Sequence, residues 1–439
     1  MPDLRSVAVW WAILLVVGAS GARADDANFR PYVVGSRAAG MGGAFTALAD
    51  DGSGPYYNPG GLAFVRRSQV SLSGSVYGLV SGSNADALGD GHDFTWRDLN
   101  IFPVATSVVW KFAAGAAPEG DGSALALSVF VPDAVRRNDR DKLLSSENAF
   151  FVSEEQQTVW AGATWSRKWG RIGFGVSGYV LFGTSLTQLE LTAVDPTSSS
   201  RFATITARVD ETTYGGVGAL GVRWDATDQL SFGLSAYSPE YGWGSRRSFV
   251  RVATGDNSPG QPANVVVVNV DDLSASPTLP ARIQAGVAWA GERVVLTADA
   301  TFLAGRTVSD DESRAAEGLD RLIKRNPVIN AAIGVEYRSS EALHWRAGFF
   351  TDFAASDQPV GTAAAAGART PQNTTHVNRY GGTLSGGWHT EHSSTDAGIN
   401  LSYGSGTDLV PNNLDFADLK PTSTQELLFY VFLASAYEF

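Results

Sequence analysis

Apolar and polar residues alternate with a period of two in fourteen stretches of the chain, near 68–80, 99–112, 123–133, 156–167, 171–192, 201–225, 229–251, 264–290, 293–304, 327–338, 342–352, 378–389, 395–404 and 425–439. Period-two alternation places successive side chains on opposite faces of a strand, so each stretch predicts one strand. In Arg282-Ile283-Gln284-Ala285-Gly286-Val287-Ala288-Trp289 the odd positions are lipophilic and the even ones small or polar. Six such runs end in a tryptophan just before a tight turn: Trp110, Trp165, Trp224, Trp289, Trp345 and Trp388. Indoles repeated at one end of successive hairpins have no purpose in a soluble sandwich, whereas they mark the headgroup level of a transmembrane β-barrel. An even number of strands is what a closed single-chain barrel requires. The expected fold class is therefore all-β, an antiparallel transmembrane barrel of about fourteen strands.

The connections alternate in length. Short ones follow Trp165, Trp224, Trp289, Arg338 and Trp388, and long ones rich in Asp, Ser, Asn, Gly and Pro lie around 81–98, 134–155, 252–263, 305–326, 353–377 and 405–423. Short turns belong to the periplasmic side and long loops to the outer side, which assigns the six tryptophans to the periplasmic girdle. The 113–122 connection is a longer periplasmic turn. The stretches between 171 and 290 exceed the roughly 9–11 residues that cross a bilayer, so their upper halves are expected to project outward. Pro277 and Pro280 interrupt the ladder within 264–290, and residues 264–272 read either as part of one strand or as a separate extracellular β-element.

The ends give an address. Val7–Ala19 is apolar but too short to span a bilayer, Arg5 precedes it, and Ala22-Arg23-Ala24 follows as a small-x-small cleavage site. Residues 1–24 are thus expected to be a signal peptide, 25–66 an N-terminal hatch and 67–439 the barrel. Counting back from Phe439, the alternate positions Tyr437, Ser435, Leu433, Val431, Phe429 and Leu427 are apolar with one exception, similar to the C-terminal assembly signal of bacterial outer-membrane proteins. That implies the outer membrane of a Gram-negative cell and the barrel-assembly machinery as a partner. The composition agrees: 48 Gly, 12 Trp, 13 Tyr and 22 Phe with only 18% charged residues, and a mean hydropathy near zero, as a lipophilic exterior and a polar interior average out. A net charge of −12 disfavours nucleic-acid binding. The absence of cysteine removes disulfide and thiol chemistry.

Residues 35–63 do not alternate. Met41, Phe45 and Leu48 recur at helical spacing, and the small residues around them suit a helix that approaches a wall closely. Such a segment is either a plug within the barrel or a periplasmic cap. Its G-x-R-A…A-D-D…N-P stretch, here Gly35, Arg37, Ala38, Ala49, Asp50, Asp51, Asn58 and Pro59, resembles the FadL-type outer-membrane family, transporters of long-chain fatty acids and aromatic hydrocarbons. Gly60 stands where members of that family usually carry alanine. The resemblance implies a small helical N-terminal plug and passive uptake of a hydrophobic small molecule through a hatch-gated lumen with a lateral opening beside a kinked strand. Gly35, Arg37, Gly40, Gly42, Gly43, Phe45, Asp50, Asp51, Asn58 and Pro59 would form the hatch. The third strand ends in Val131-Pro132-Asp133, which makes Pro132 the candidate for the lateral opening.

Strand phase supplies candidate lumen residues. With Arg338 inward and opposite His344, Glu336 faces Arg346 across one ladder step. Arg282 is placed diagonal to Asp299, and as an inward cation near mid-barrel it is the candidate for meeting a carboxylate. Phe350, Leu181, Leu428 and Phe432 are apolar on inward phases, as a path for lipophilic solutes requires. The charged pairs serve equally well as braces of a wide barrel. Arg246, Arg247 and Arg251 lie near the outer rim, where outer-membrane lipid and lipopolysaccharide are candidate partners. His92, His344, His376, His389 and His392 show no metal-ligand spacing; neither a cofactor, a metal site nor an enzymatic activity is expected. A general porin and a secretion-system or surface-assembly scaffold remain as other functions.

Deleting Phe439 is expected to lower the amount of barrel that reaches the folded form, measured as heat-modifiable protein on gels. Unchanged amounts would show that the terminal pattern is accidental.

Overall fold

The computed structural model describes residues 28–29, 33–87, 91–100, 103–113, 121–142, 149–195, 198–256, 264–313, 319–361, 375–412 and 415–439. The expected signal peptide and most of the 113–122 turn lie outside these residues. The first half of the sheet comprises β1 (Gln69–Asn84), β2 (Phe94–Asn100), β3 (Pro103–Ala113), β4 (Gly122–Lys142), β5 (Ala149–Trp169), β6 (Ile172–Asp195), β7 (Ser198–Asp225), β8 (Leu230–Tyr237) and β9 (Tyr241–Asp256). The remainder are β10 (Asn264–Leu273), β11 (Arg282–Ala290), β12 (Val294–Leu303), β13 (Arg306–Asp310), β14 (Arg321–Arg325), β15 (Val328–Arg338), β16 (Leu343–Asp352), β17 (Thr375–His389), β18 (Ser393–Asn412) and β19 (Asp415–Glu438).

These form a closed antiparallel barrel of fourteen wall strands. Closure is made by β1 against β19, from Gln69 opposite Glu438 to Asn84 opposite Thr424. Three wall strands are built from two pieces each: β2 with β3, β8 with β9, and β10 with β11. In the last two cases the lower pieces pair with each other, Arg282 opposite Tyr237, and so do the upper ones, Asn264 opposite Gly255. Residues 274–281, with Pro277 and Pro280, are not strand, so 264–273 is a separate element stacked above β11. The β13–β14 hairpin stands outside the wall.

The exterior is the lipophilic phase of every strand. Leu127, Val176, Val180, Leu220, Leu234, Ile283, Leu296, Ile333, Leu384 and Leu433 are exposed, as are Trp165, Trp224, Trp289, Trp345 and Trp388 beside the short turns. A second ring of exposed aromatics, including Tyr77, Tyr214, Phe302, Tyr380 and Tyr403, lies nearer the other end. Eight residues separate Tyr380 from Trp388 on β17; at roughly 3.3 Å per residue and a tilt of about 40° the two girdles stand about 20 Å apart, close to the height of an outer-membrane hydrocarbon layer.

Residues 33–66 are enclosed by this wall. They contain α1 (Arg37–Gly40), α2 (Gly54–Tyr57) and a 3-10 helix (Pro59–Phe64). The helix expected through Met41, Phe45 and Leu48 does not form. Gly42 and Gly43 adopt φ of 64° and 80°, a left-handed conformation that ends a helix and that glycine tolerates without strain. All three apolar side chains are nonetheless fully or almost fully buried, because the surrounding barrel supplies their contacts.

Leu220, four residues along β7 from Trp224, faces lipid near mid-membrane. Replacing it with arginine is expected to destabilise the barrel by about 2–4 kcal/mol, measured by equilibrium unfolding in urea with lipid vesicles; a change below about 0.5 kcal/mol would place that face outside the hydrocarbon.

Candidate functional site

The enclosed segment is held by two kinds of contact, close backbone approach and buried charge. At the Asn58-Pro59-Gly60 corner, the Asn58 side-chain amide donates to the carbonyls of Thr46 (2.8 Å) and Val222 (2.9 Å), while its Oδ1 accepts from the Gly60 N–H. A Cβ on Gly60 would lie 2.7 Å from the Gly221 carbonyl oxygen and 2.8 Å from that of Gly173. Alanine does not fit there without a shift of the backbone. Gly42 meets the wall at Gly348, where an added Cβ would lie 2.2 Å from the Gly42 nitrogen. Thr383 donates to the Gly40 carbonyl at 2.9 Å. Gly35 (φ 89°) turns the chain into α1.

Glu336 is the centre of the charged contacts. It accepts from Arg37 Nε (2.8 Å), Arg346 Nε (2.8 Å) and Arg338 Nε (3.1 Å). Arg346 continues to Asp396, and Arg37 continues to Asp50 at 2.9 Å. Arg223 adds a bond to the Leu48 carbonyl (2.6 Å) and lies 3.6 Å from Asp50. Burial alone would raise the Asp50 carboxyl, but the guanidinium groups of Arg37 and Arg223 outweigh it and hold it below the usual range. Burial pushes neighbouring Asp51 up, opposed by its bonds from Ser53. The ladder sets Glu336 opposite Arg346 and Arg338 opposite His344, the arrangement read from strand phase, and Arg37 of the inner segment joins it. These charges line a vestibule of about 690 Å³ on the short-turn side, where His344 and His389 also meet with ring centroids 4.1 Å apart.

The expected Arg282–Asp299 diagonal is not found. Asp299 pairs with Gly286 in the ladder and Arg282 with Leu303. The inner segment claims both charges: Asp299 Oδ2 accepts the N–H groups of Phe45 and Thr46, each at 2.8 Å. The Arg282 guanidinium lies over the rings of Tyr237 (4.0 Å) and Tyr56 (5.0 Å) and donates to the Tyr56 carbonyl. Arg282 is thus held against the inner segment through Nη1 and Nη2, while its buried Nε has no hydrogen-bond partner among the described residues. Phe350 is buried with Ala44 and Ala332 against the inner segment. Of the rim arginines, Arg247 is buried and bonded to Asp311 and the Leu319 carbonyl, so it anchors the loop that carries the hairpin.

Above the inner segment lies a second cavity, of about 100 Å³, lined by Tyr56, Trp160, Leu181, Tyr237, Arg282 and Pro132 among others. Tyr56 contacts Tyr57, Phe130 and Trp160 edge-on at 5.2–5.9 Å, and Trp160 leans on Tyr179 at 5.7 Å. The hydroxyls of Tyr179 and Tyr237 donate to the Pro55 carbonyl and orient the aromatic floor. Sequence reasoning assigned none of these aromatic residues; Trp160, Tyr179 and Tyr237 sit on inward phases, the one signal that could have found them.

Pro132 stands at the edge of this cavity. The β3–β4 ladder stops at Ala105 opposite Phe130, and the β4–β5 register shifts between Phe130 and Asp133. Beyond that point β4 meets β2 through side chains, Asn138 N–H donating to Asp98 and the Asn100 amide to the Arg136 carbonyl.

No family model and no curated protein matches the chain by sequence. Solved structures match its fold. A Pseudomonas aeruginosa FadL homologue is 15% identical, with a TM-score of 0.65 over 94% of this chain and all of the other. The P. putida toluene transporter TodX is 14% identical (TM-score 0.61, 94% and 99% covered). The Ralstonia pickettii toluene transporter TbuX is 11% identical (TM-score 0.59, 92% and 98% covered). The chain thus has the fold of these barrels, a FadL homologue and two toluene transporters among them.

Glu336→Ala strips the carboxylate from three guanidinium groups. Breaking so buried a network is expected to cost about 3–5 kcal/mol, seen as a lower temperature for the heat-modifiable gel shift and as greater sensitivity of expressing cells to large antibiotics. Wild-type behaviour in both assays would show that the network does not hold the inner segment.

Proposed function

We propose that this protein is a passive outer-membrane channel for hydrophobic small molecules, with residues 25–66 as its hatch. The observation that carries this reading is the aromatic cavity set between the inner segment and the interrupted wall at Pro132. A solute dissolved in the outer leaflet or arriving from outside finds an apolar site there, and apolar burial is worth about 25 cal/mol per Å². The way down is closed by the segment Gly35–Pro59, so release to the periplasm requires that segment to move, with Gly42–Gly43 and the Asn58–Pro59 corner as its pivots. Direct passage between lumen and lipid runs past Pro132, which cannot donate to a ladder.

Long-chain fatty acids and compact aromatic hydrocarbons both fall within this reading. The small cavity favours the compact ones, in keeping with the toluene transporters that share the fold.

Cells expressing the chain are expected to take up radiolabelled toluene faster than cells lacking it, and Pro132→Val is expected to slow that uptake several-fold with folding intact by gel shift. No gain over cells without the protein would overturn the function; a gain that the variant retains in full would move the solute path away from Pro132.

A further inference from the structure

The aromatic cavity contains an uncommitted acceptor. Glu240, in the short break between β8 and β9, is 8% exposed, yet among the described residues no hydrogen bond reaches its carboxylate. Its backbone is fully used: the N–H donates to the Leu279 carbonyl, and its carbonyl accepts from Arg306. Arg306, the nearest cation, is itself held by the Leu279 and Glu240 carbonyls. The carboxylate rests over Gly215, where a Cβ would lie 2.3 Å from Oε1; the missing side chain is what gives it room. A largely buried carboxyl without a donor is disfavoured, and a solute that donates to it relieves that cost.

Its position adds a second observation. Glu240 lines the aromatic cavity and also a polar cavity above it, formed by Gln156, Thr158, Thr184, Ser185 and Glu211 with residues 276–278. A solute moving from the outer mouth to the aromatic site passes this carboxylate. The other acid at the site, Asp133, already accepts from Gln156 at 3.1 Å, and Arg282 is occupied by Tyr56 and Tyr237.

We infer that Glu240 is a specificity-determining residue that selects ring compounds carrying a hydrogen-bond donor, an amine or a hydroxyl, over plain hydrocarbons and over carboxylates. The inference rests on the aromatic cavity being the solute site. The ring packs on Tyr56, Trp160 and Tyr237, the donor reaches Glu240, and an anion in the same place meets the carboxylates of Asp133 and Glu240.

The test is binding of four rings of similar size, toluene, benzyl alcohol, benzylamine and benzoate, to the full-length protein in detergent by titration calorimetry. At least one of the two donors is expected to bind about tenfold more tightly than toluene, and benzoate more weakly. Glu240→Gln is expected to bring the donor-to-toluene ratio close to one. Toluene binding as tightly as both donors in the wild-type protein overturns the inference and leaves the site reading intact, as does a donor preference that survives Glu240→Gln. Absence of binding by all four overturns the site reading and the inference with it.

Discussion

A backbone amide inside a bilayer has no water to bond, and that requirement governs this molecule. Each unpaired N–H or C=O in hydrocarbon costs several kcal/mol, so the sheet must close, and β19 returning to β1 is what permits every other strand to stand in lipid. Closure also explains where irregularity is tolerated. The ladder breaks at Pro132, at 238–240 and at 274–281, each bordering a cavity or the inner segment, where polar groups of the protein replace the missing strand partners. Above the membrane, the long upper halves of β4 to β7 and the stacked β9–β10 pair form a rim in which water serves instead.

A barrel of this width has to be filled, and the filling is mixed: Met41, Phe45, Leu48, Tyr56 and Tyr57 bury apolar surface against the wall beside the buried charges. Hydrocarbon outside means that the hydrophobic effect cannot drive the inner segment into the lumen as strongly as it drives a soluble core together. Close backbone approach and buried charge add to it. Glycine on both surfaces lets Asn58-Pro59-Gly60 and Gly42 lie against bare strands, and Glu336 gathers guanidinium groups from β15, β16 and α1 into one cluster. Such contacts hold firmly while intact, yet they are local and discrete.

The same economy shapes the solute site. Its walls come from the barrel and its floor from Tyr56 of the inner segment, so the cavity exists only while that segment is seated. Any displacement removes the floor, separates Tyr56 from Arg282 and alters the affinity of the site in the same motion. In the proposed channel, seating and solute retention would thus be coupled through shared side chains, without a separate signalling path.

Sequence alone determined the membrane barrel, its strand number, the side on which the tryptophans lie and the Glu336–Arg346 step, because period-two alternation and a tight turn are local and the outer solvent imposes one rule on every strand. It also set the glycine-rich segment and Asn58-Pro59 apart from the alternating strands. What lay beyond it were contacts set by filling the lumen. Met41, Phe45 and Leu48 have helical spacing but no helix, since the wall rather than a regular backbone positions them. Arg282 and Asp299 satisfy groups of the inner segment rather than each other. The cavity joins Tyr56 to Trp160, Tyr237 and Glu240, residues brought together by curvature of the wall. Only the tertiary structure decides which inward side chains meet across a lumen, because that distance depends on closure and not on any spacing along the chain.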